Sequence, residues 1–117
     1  MVRAQTIYKI CPAEAWDEAR RIGRFAGCGD DLACGFIHFS TADQVETTAL
    51  RHFAGRDGLI LVAVAGDGLG AALKWEPSRG DALFPHLYGP LSLSAVLWTR
   101  PLRLGADGAH VFPELNP

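Results

Sequence analysis

The sequence predicts an α+β fold, a small domain with a mixed or antiparallel sheet and two main helices in its N-terminal half. The length of 117 residues allows one domain, which we expect to span residues 1–117. Two stretches with helical spacing of apolar residues lie in the first half, and segments typical of strands dominate the second. Helices and strands that are separated in this way along the chain favour α+β architecture.

The first strand and the first helix follow each other directly. Thr6–Ile10 is rich in β-branched and aromatic residues, which is typical of a strand. Pro12 suits a first helical position, and residues 12–22 place apolar side chains such as Trp16 on one face. Acidic residues precede basic ones in this segment, as the helix dipole favours, and Gly23 ends it.

A loop separates this unit from the second strand and helix. Residues 25–34 contain two glycines and predict a loop, with one turn around Asp31. Gly35–Phe39 predicts a strand. Thr41 and Gln44 have the spacing of a capping box, so a second helix should begin there.

The second half of the chain predicts strands. Gly58–Val64 is continuously apolar and should be a central strand covered on both faces, and Leu73–Glu76 alternates as a short strand. Phe84–Pro90 holds two prolines and three ring side chains, which predicts an irregular edge strand or an ordered loop. Ala95–Leu104 should be a kinked or edge strand, and Val111–Phe112 a short last strand.

Charge and hydropathy exclude several classes of protein. The chain has 11 basic and 13 acidic residues, a net charge of −2, which makes a nucleic-acid partner unlikely by bulk charge. The longest apolar run, Leu59–Ala65, is far shorter than the roughly 20 residues of a membrane span. The N-terminus does not resemble a signal peptide, so we expect a cytoplasmic protein with reduced thiols.

The cysteines do not form a recognisable metal motif. Cys28, Cys34 and His38 have the spacing C-x5-C-x3-H, with His86 as a possible fourth ligand. Structural zinc sites usually separate paired cysteines by two to four residues, so we predict no metal. Cys11 lies where the first helix should begin, a place that stabilises a thiolate, although a simple capping role is the alternative.

The segment around His38 is the first candidate site. In a strand, His38 and Ser40 point to the same face, and Thr41 then opens a helix whose N–H groups attract anions. Such a group could bind a sugar or a phosphate. In the alternative, Ser40 or Thr41 only caps the helix and His38 forms hydrogen bonds at the edge of the core.

Two further candidates are the proline-rich segment and the first strand. His86 can act as a general acid or base and Tyr88 can stack on a flat ring, within a segment that two prolines pre-order. In the alternative, Tyr88 packs in an ordered turn and His86 is solvated. Lys9 lies in mid-strand, either on a solvated face or pointing into a cleft that holds an anion.

Five segments together resemble the bacterial domain-of-unknown-function family 952, over residues 6–104. They are Ile7–Ile10, Trp16, Gly35–Thr41, Leu73–Pro77 and Phe84–Leu91. The fold of this family is thought to be similar to that of the ADP-ribosyltransferases, which include tRNA 2′-phosphotransferase and the NAD-dependent toxins. Ile37–Ser40 also resembles an isoleucine-histidine-aliphatic-serine segment of the phosphotransferase.

The resemblance implies NAD or a related nucleotide as the ligand. It implies that Lys9 contacts a phosphate, that His38, Ser40 and Thr41 contact the ribose or its surroundings, and that Tyr88 stacks on the flat ring. His38 and His86 are then the candidate acid–base groups, and Glu76 is the nearest candidate for the carboxylate that supports the transition state. The chain differs from these enzymes in carrying lysine where they usually have a first-strand histidine or arginine.

Two classes of function therefore remain in competition. One is a minimal or altered ADP-ribosyltransferase or phosphotransferase relative that binds NAD or a small anion, with or without catalysis. The other is a non-catalytic module that binds a peptide or a protein. The sequence leaves the oligomeric state open. The first function requires Lys9, His38, His86 and Tyr88 to converge in one pocket.

Overall fold

Eight strands and three α-helices occur among residues 5–78, 80 and 82–115, which the computed structural model describes. The α-helices are Ala13–Ile22 (α1), Asp30–Cys34 (α2) and Ala42–His52 (α3). The strands are Thr6–Pro12 (β1), Arg24–Phe25 (β2), Ile37–His38 (β3), Leu59–Ala65 (β4), Leu73–Pro77 (β5), Leu83–Leu87 (β6), Leu91–Ser92 (β7) and Val96–Leu102 (β8). Short 3-10 segments cover Gly66–Ala72 and Leu93–Ala95. The predicted α+β class is confirmed, and the pairings of these strands are antiparallel.

The described residues form two three-stranded sheets and the two-stranded sheet β2-β7. The three-stranded sheet with the longer strands, here called the larger sheet, has the order β1-β4-β8. Strand β4 is continuously apolar because alternate side chains enter two cores. Val62 and Val64 pack in the same cluster as Trp16 of α1, whereas Leu61 belongs to the cluster of Val45 of α3. The prediction of a central strand covered on both faces is therefore confirmed. Strand β8 lies at the edge, where Pro101 costs few ladder hydrogen bonds.

The other three-stranded sheet, here called the smaller sheet, has the order β3-β6-β5 and corrects one prediction. Residues 84–87 of the proline-rich segment belong to the central strand β6 and not to an edge strand, whereas residues 88–90 form the loop that follows it. The backbone N–H of Phe39 donates to the carbonyl oxygen of Pro85 at 3.0 Å. Because the N and the C=O of a strand residue point to the same side, the missing N–H of Pro85 faces the chain where β3 has just ended. The central position therefore costs about one ladder hydrogen bond.

The helices α1 and α3 match the two predicted helices closely. Pro12 ends β1, so α1 begins one residue later than predicted, and Gly23 ends it in the left-handed conformation with φ 100°. Helix α3 begins after Thr41, whose N–H donates to Oε1 of Gln44 at 3.0 Å. The predicted capping box is thereby confirmed.

Two other predictions need correction. The loop predicted over residues 25–34 begins with Phe25, which belongs to β2 and pairs with Leu91 of β7. The turn predicted around Asp31 is present as the short helix α2. No strand forms at residues 111–112, because pairing there stops at a Leu104–His110 bridge and one bond from Val111 N–H to the Arg103 carbonyl. Pro113 follows directly and has no N–H to continue the ladder.

Some predicted segments fall partly or wholly outside the described residues. They are the N-terminal residues 1–4 and positions 79 and 81 of the loop predicted at 77–81. Within the described part of the chain, every helix is too short or too polar to cross a membrane.

Candidate functional site

A cleft of about 390 Å³ opens between β1, the chain after β3, the segment that leads into α2, and the C-terminal end of α3. Its floor includes Lys9, Asp31, His38 and Ser40, and Arg56 also lines it. Small-molecule sites in proteins usually have volumes of about 300–1,000 Å³. The volume of the cleft lies near the lower end of this range, so the cleft can hold a small ligand.

A backbone bridge brings the first strand and the His38 segment together. The N–H of Tyr8 donates to the Ser40 carbonyl at 2.7 Å, and the N–H of Ser40 donates to the Tyr8 carbonyl at 2.9 Å. Lys9 follows Tyr8 in the chain, so this bridge places Lys9 beside the segment that carries His38. His38 and Ser40 both line the cleft, as their predicted common face requires.

Lys9 forms a buried ion pair with Asp31. Its Nζ lies 2.7 Å from Oδ2 and 3.0 Å from Oδ1 of the carboxylate, and the two side chains are only 8% and 2% exposed. The interpretation of Lys9 as a residue on a solvated face is therefore wrong. A buried ammonium needs a counterion, and here the counterion comes from the protein itself. Most of the charge of Lys9 is thus balanced before any ligand arrives.

Asp31 accepts hydrogen bonds from every side. Besides Lys9, the Cys28 N–H donates to Oδ2 at 3.0 Å and the His38 N–H donates to Oδ1 at 3.0 Å. The His38 ring Nδ1 lies 2.7 Å from the same Oδ1. Burial opposes the charged form, but the bonds from His38 and the charge and bond of Lys9 outweigh it and lower the pKa of Asp31 to about 2.

The ionised carboxylate determines the tautomer of His38. A carboxylate can only accept, so Nδ1 of His38 must carry the proton of this hydrogen bond. In the neutral ring, Nε2 is then left with its lone pair, and no hydrogen bond within the described residues uses that nitrogen. His38 thus lines the cleft with a basic nitrogen that is free to meet a ligand.

The segment before α2 fits Asp31 closely. Gly27 has φ 108°, and a Cβ built there would lie 2.8 Å from the Cβ of Asp31. Only glycine fits this combination of left-handed backbone and close approach. The sequence marked Asp31 only as a turn residue, because its partners lie 22 and 7 positions away along the chain. No local spacing could have found this central residue.

A second carboxylate–histidine pair lies in the smaller sheet. Nδ1 of His86 lies 2.9 Å from Oε1 of Glu76, and the Tyr88 hydroxyl donates to the same oxygen at 2.8 Å. The bonds from His86 and then Tyr88 lower the pKa of Glu76, and the bond to Glu76 raises the pKa of Tyr88. These three residues are not among those that line the cleft. The alternative of a packed Tyr88 and a solvated His86 is wrong, because Tyr88 is 41% exposed and His86 only 4%.

Phe36 connects the two pairs. The ring centroids of His38 and His86 lie 5.3 Å apart, as expected of residues that are directly opposite in β3 and β6. The Phe36 ring lies 4.3 Å from the His86 ring, 4.6 Å from His38 and 5.1 Å from Tyr88. The predicted convergence is therefore partial: the two histidines are neighbours, but only His38 lines the cleft. The sequence did not single out Phe36, which reads as an ordinary strand residue.

Ser40 and Thr41 have different surroundings. The Ser40 hydroxyl is buried in the cleft wall, 2.9 Å from the Thr48 hydroxyl. Thr41 belongs to the capping box of α3 and does not line the cleft. A role of Ser40 in ligand binding thus remains a prediction. For Thr41, the structure gives no geometric support for such a role.

The three cysteines are free thiols. Cys11 lies within β1, and burial raises its pKa to about 12, so the expectation of a stabilised thiolate at a helix N-terminus is wrong. Cys28 lines the cleft, and burial raises its pKa as well. Across the described ranges, no three His, Cys, Asp or Glu side chains are grouped so that they could hold a metal ion.

This fold and cleft define a small α+β protein with an internally charge-balanced Lys–Asp–His network at its floor. The family model described as "Protein of unknown function (DUF952)" matches residues 10–99, so the chain belongs to this family. The resemblance of the sequence motifs to family 952 is thereby confirmed.

Solved structures of protein CC0527 from Caulobacter crescentus are similar to this chain. The crystal structure has a TM-score of 0.87 and 49% identity, covering 91% of this chain and 93% of that chain. The solution NMR structure has a TM-score of 0.80 and 50% identity, covering 89% and 90%. The search of the curated proteins found no match.

Proposed function

We propose that the cleft binds a small anionic ligand of the nucleotide type and that His38 serves there as a general acid–base group. The observation that carries this proposal is the Lys9–Asp31–His38 chain at the cleft floor. An imidazole whose Nδ1 is bound to a carboxylate is the arrangement in which Nε2 exchanges protons with a substrate.

The proposed relation to the ADP-ribosyltransferases has one structural support and one obstacle. The support is that Lys9 of the first strand and His38 line the same cleft, joined through the Tyr8–Ser40 bridge. The obstacle is the carboxylate: Glu76 lies outside the cleft, and Asp31 is already engaged by Lys9 and His38. We therefore favour ligand binding, or acid–base chemistry on a ligand hydroxyl, over ordinary transfer of ADP-ribose, and NAD remains one candidate ligand.

Titration of the ¹⁵N-labelled protein with NAD, adenosine monophosphate and inorganic phosphate tests this proposal. We expect the amide signals of Cys28, Asp31 and His38 to shift in a saturable way with at least one of these compounds. The amides of the exposed turn at Asp107 and Gly108 serve as an internal reference, since they do not line the cleft. Unchanged cleft signals at millimolar concentrations of all three compounds would contradict the proposal.

His38→Gln separates acid–base chemistry from binding. Glutamine keeps a polar side chain in the cleft but has no basic nitrogen. If His38 only positions the ligand, the variant should weaken binding alone. If His38 also transfers protons, any turnover found for the wild type should disappear although the ligand still binds.

A peptide-binding module is the second candidate function. Strand β5 lies at one edge of the smaller sheet, and its Trp75 is 39% exposed and thus not a core residue. An open strand edge can add a peptide as a further strand. In that case peptide addition would shift the amides of β5 and leave Cys28, Asp31 and His38 unchanged.

We also propose the cytoplasm as the place where the protein acts. Its three free thiols, one of which is exposed, would stay reduced in that compartment.

A further inference from the structure

Arg56 lines the cleft, and its contacts and its available charge suit the binding of an anion. We propose that Arg56, with His52, binds the phosphate group of a phosphate monoester whose uncharged part reaches His38. This inference rests on the proposed function, that is, on a small anionic ligand in the cleft. It gives the ligand a chemical class and an orientation.

The backbone of Arg56 is fixed by hydrogen bonds, and its exposed side chain packs on the ring of Phe53. Its N–H donates to the Phe53 carbonyl at 2.9 Å, and its carbonyl lies 2.7 Å from Nε2 of His110. The guanidinium carbon lies 5.2 Å from the centroid of the Phe53 ring. An arginine that is held in this way loses less conformational entropy on binding than a freely rotating one.

Arg56 also keeps its charge available. No carboxylate within the described residues lies at ion-pair distance from its guanidinium, whereas Arg21 is paired with Glu18. Lys9, the other cation of the cleft, is balanced by Asp31. The remaining positive charge of the cleft thus lies at Arg56. His52 also lines the cleft, and the exposed Asp30 adds a carboxylate to the lining.

These charges determine how a ligand would lie. The planar guanidinium matches two oxygens of a phosphate group, and a ring N–H of His52 could donate to a third oxygen. The apolar side chains of Ile10, Pro12 and Phe53 line the same cleft and suit a sugar or base. The phosphate would therefore bind at Arg56, and a hydroxyl of the ligand would face Nε2 of His38. This orientation differs from the one implied by the resemblance, in which Lys9 contacts the phosphate.

The test compares Arg56→Gln with Arg51→Gln by calorimetric titration. Both variants remove one exposed positive charge, but Arg51 belongs to α3 and does not line the cleft. The probes are adenosine monophosphate and adenosine, which differ only by the phosphate. Arg56→Gln should raise the Kd for adenosine monophosphate about tenfold, the effect of one charge-assisted hydrogen bond, and leave adenosine binding unchanged. Arg51→Gln should change neither.

The possible failures are distinguishable. If adenosine monophosphate binds the wild type and both variants weaken it equally, or if adenosine loses as much affinity as the monophosphate, the assignment of Arg56 is overturned and the proposed function stands. If neither NAD, adenosine monophosphate nor phosphate shifts the cleft amides of the wild type, the proposed function is overturned and this inference with it. Thermal unfolding curves of both variants show whether the fold is intact.

Discussion

The two carboxylate–histidine pairs are similar in geometry but opposite in exposure. In the first pair the carboxylate of Asp31 is 2% exposed and the His38 ring 27%. In the second pair the His86 ring is 5% exposed and the carboxylate of Glu76 35%. The first pair therefore offers a ring nitrogen to the cleft, and the second offers a carboxylate to solvent. Exposure, and not the hydrogen bond itself, distinguishes a candidate reactive imidazole from a packed one.

The two pairs also differ in the further partners that stabilise the carboxylate. Asp31 has the ammonium of Lys9 as its counterion and receives two backbone N–H groups. Glu76 instead accepts a hydrogen bond from the neutral hydroxyl of Tyr88. Because water can replace partners at an exposed carboxylate but not at a buried one, the same substitution should have very different effects in the two pairs.

The largest effect is expected from Asp31→Asn. The amide cannot balance Lys9, which would leave a buried ammonium without a counterion, and we expect a loss of about 3–5 kcal/mol in the free energy of unfolding. Chemical denaturation measures this loss. Asp30→Asn is the matched control, since Asp30 is the exposed neighbour in the same helix. Equal losses in the two variants would contradict the assigned role of Asp31.

A double variant sharpens that result. Lys9→Met combined with Asp31→Leu removes both charges and replaces them by apolar side chains of similar size. It should lose clearly less stability than Asp31→Asn alone, because no buried charge is left unpaired. If the double variant is the less stable one, the hydrogen bonds of Asp31 to Cys28 and His38 matter more than its charge.

The next largest effect is the contribution of Asp31 to the stability of the protein at acid pH. Its pKa is about 2 in the folded protein against an ordinary 3.8, so its contribution is complete above about pH 4 and is lost as the pH falls towards 2. A lowering of this size corresponds to about 2 kcal/mol of folding stability. Urea denaturation across this pH range measures it. The Lys9→Met, Asp31→Leu variant should lack this part of the pH dependence, and an unchanged slope would refute the assignment.

Gly27→Ala should perturb the first pair while leaving the second intact. The added Cβ would lie 2.8 Å from the Cβ of Asp31, and we expect a loss of about 1–3 kcal/mol. Gly29→Ala is the control, because Gly29 also has positive φ but has no atom within 4 Å of an added Cβ. The difference between the two variants measures the contact with Asp31. No difference would mean that the segment moves aside freely.

The smallest effect is expected from Glu76→Gln. We expect no measurable loss of stability, because the side chain of Glu76 is about one-third exposed and has no ion-pair partner among the described residues other than a protonated His86. The pKa of Tyr88 should fall towards its ordinary value, since its hydrogen bond to Glu76 raises it. A spectrophotometric titration of the tyrosines detects this change, and Glu46→Gln, on exposed α3 surface, is the control. A loss as large as that of Asp31→Asn would overturn the contrast between the two pairs.

Elements with regular patterns were predictable from the sequence, and Pro85 shows where such prediction fails. The apolar run of β4, the spacing of α1 and the Thr41–Gln44 capping box each depend on neighbours within a few residues. The position of Pro85 in a central strand depends on where β3 ends, which is set by the chain nearly fifty residues earlier. Local propensity carries no information about the pairing of β6 with the end of β3.

The candidate site divides in the same way. The α+β class and the common face of His38 and Ser40 were predictable from the sequence, because both follow from local periodicity. The sequence also identified His86, Tyr88, Glu76 and Lys9 as residues with suitable chemistry. The contacts between distant segments place Asp31 between Lys9 and His38 and bring Glu76, His86 and Tyr88 together in a separate cluster. The physical reason is that burial and ion pairing depend on which distant segments meet, whereas periodicity records only which way each side chain points.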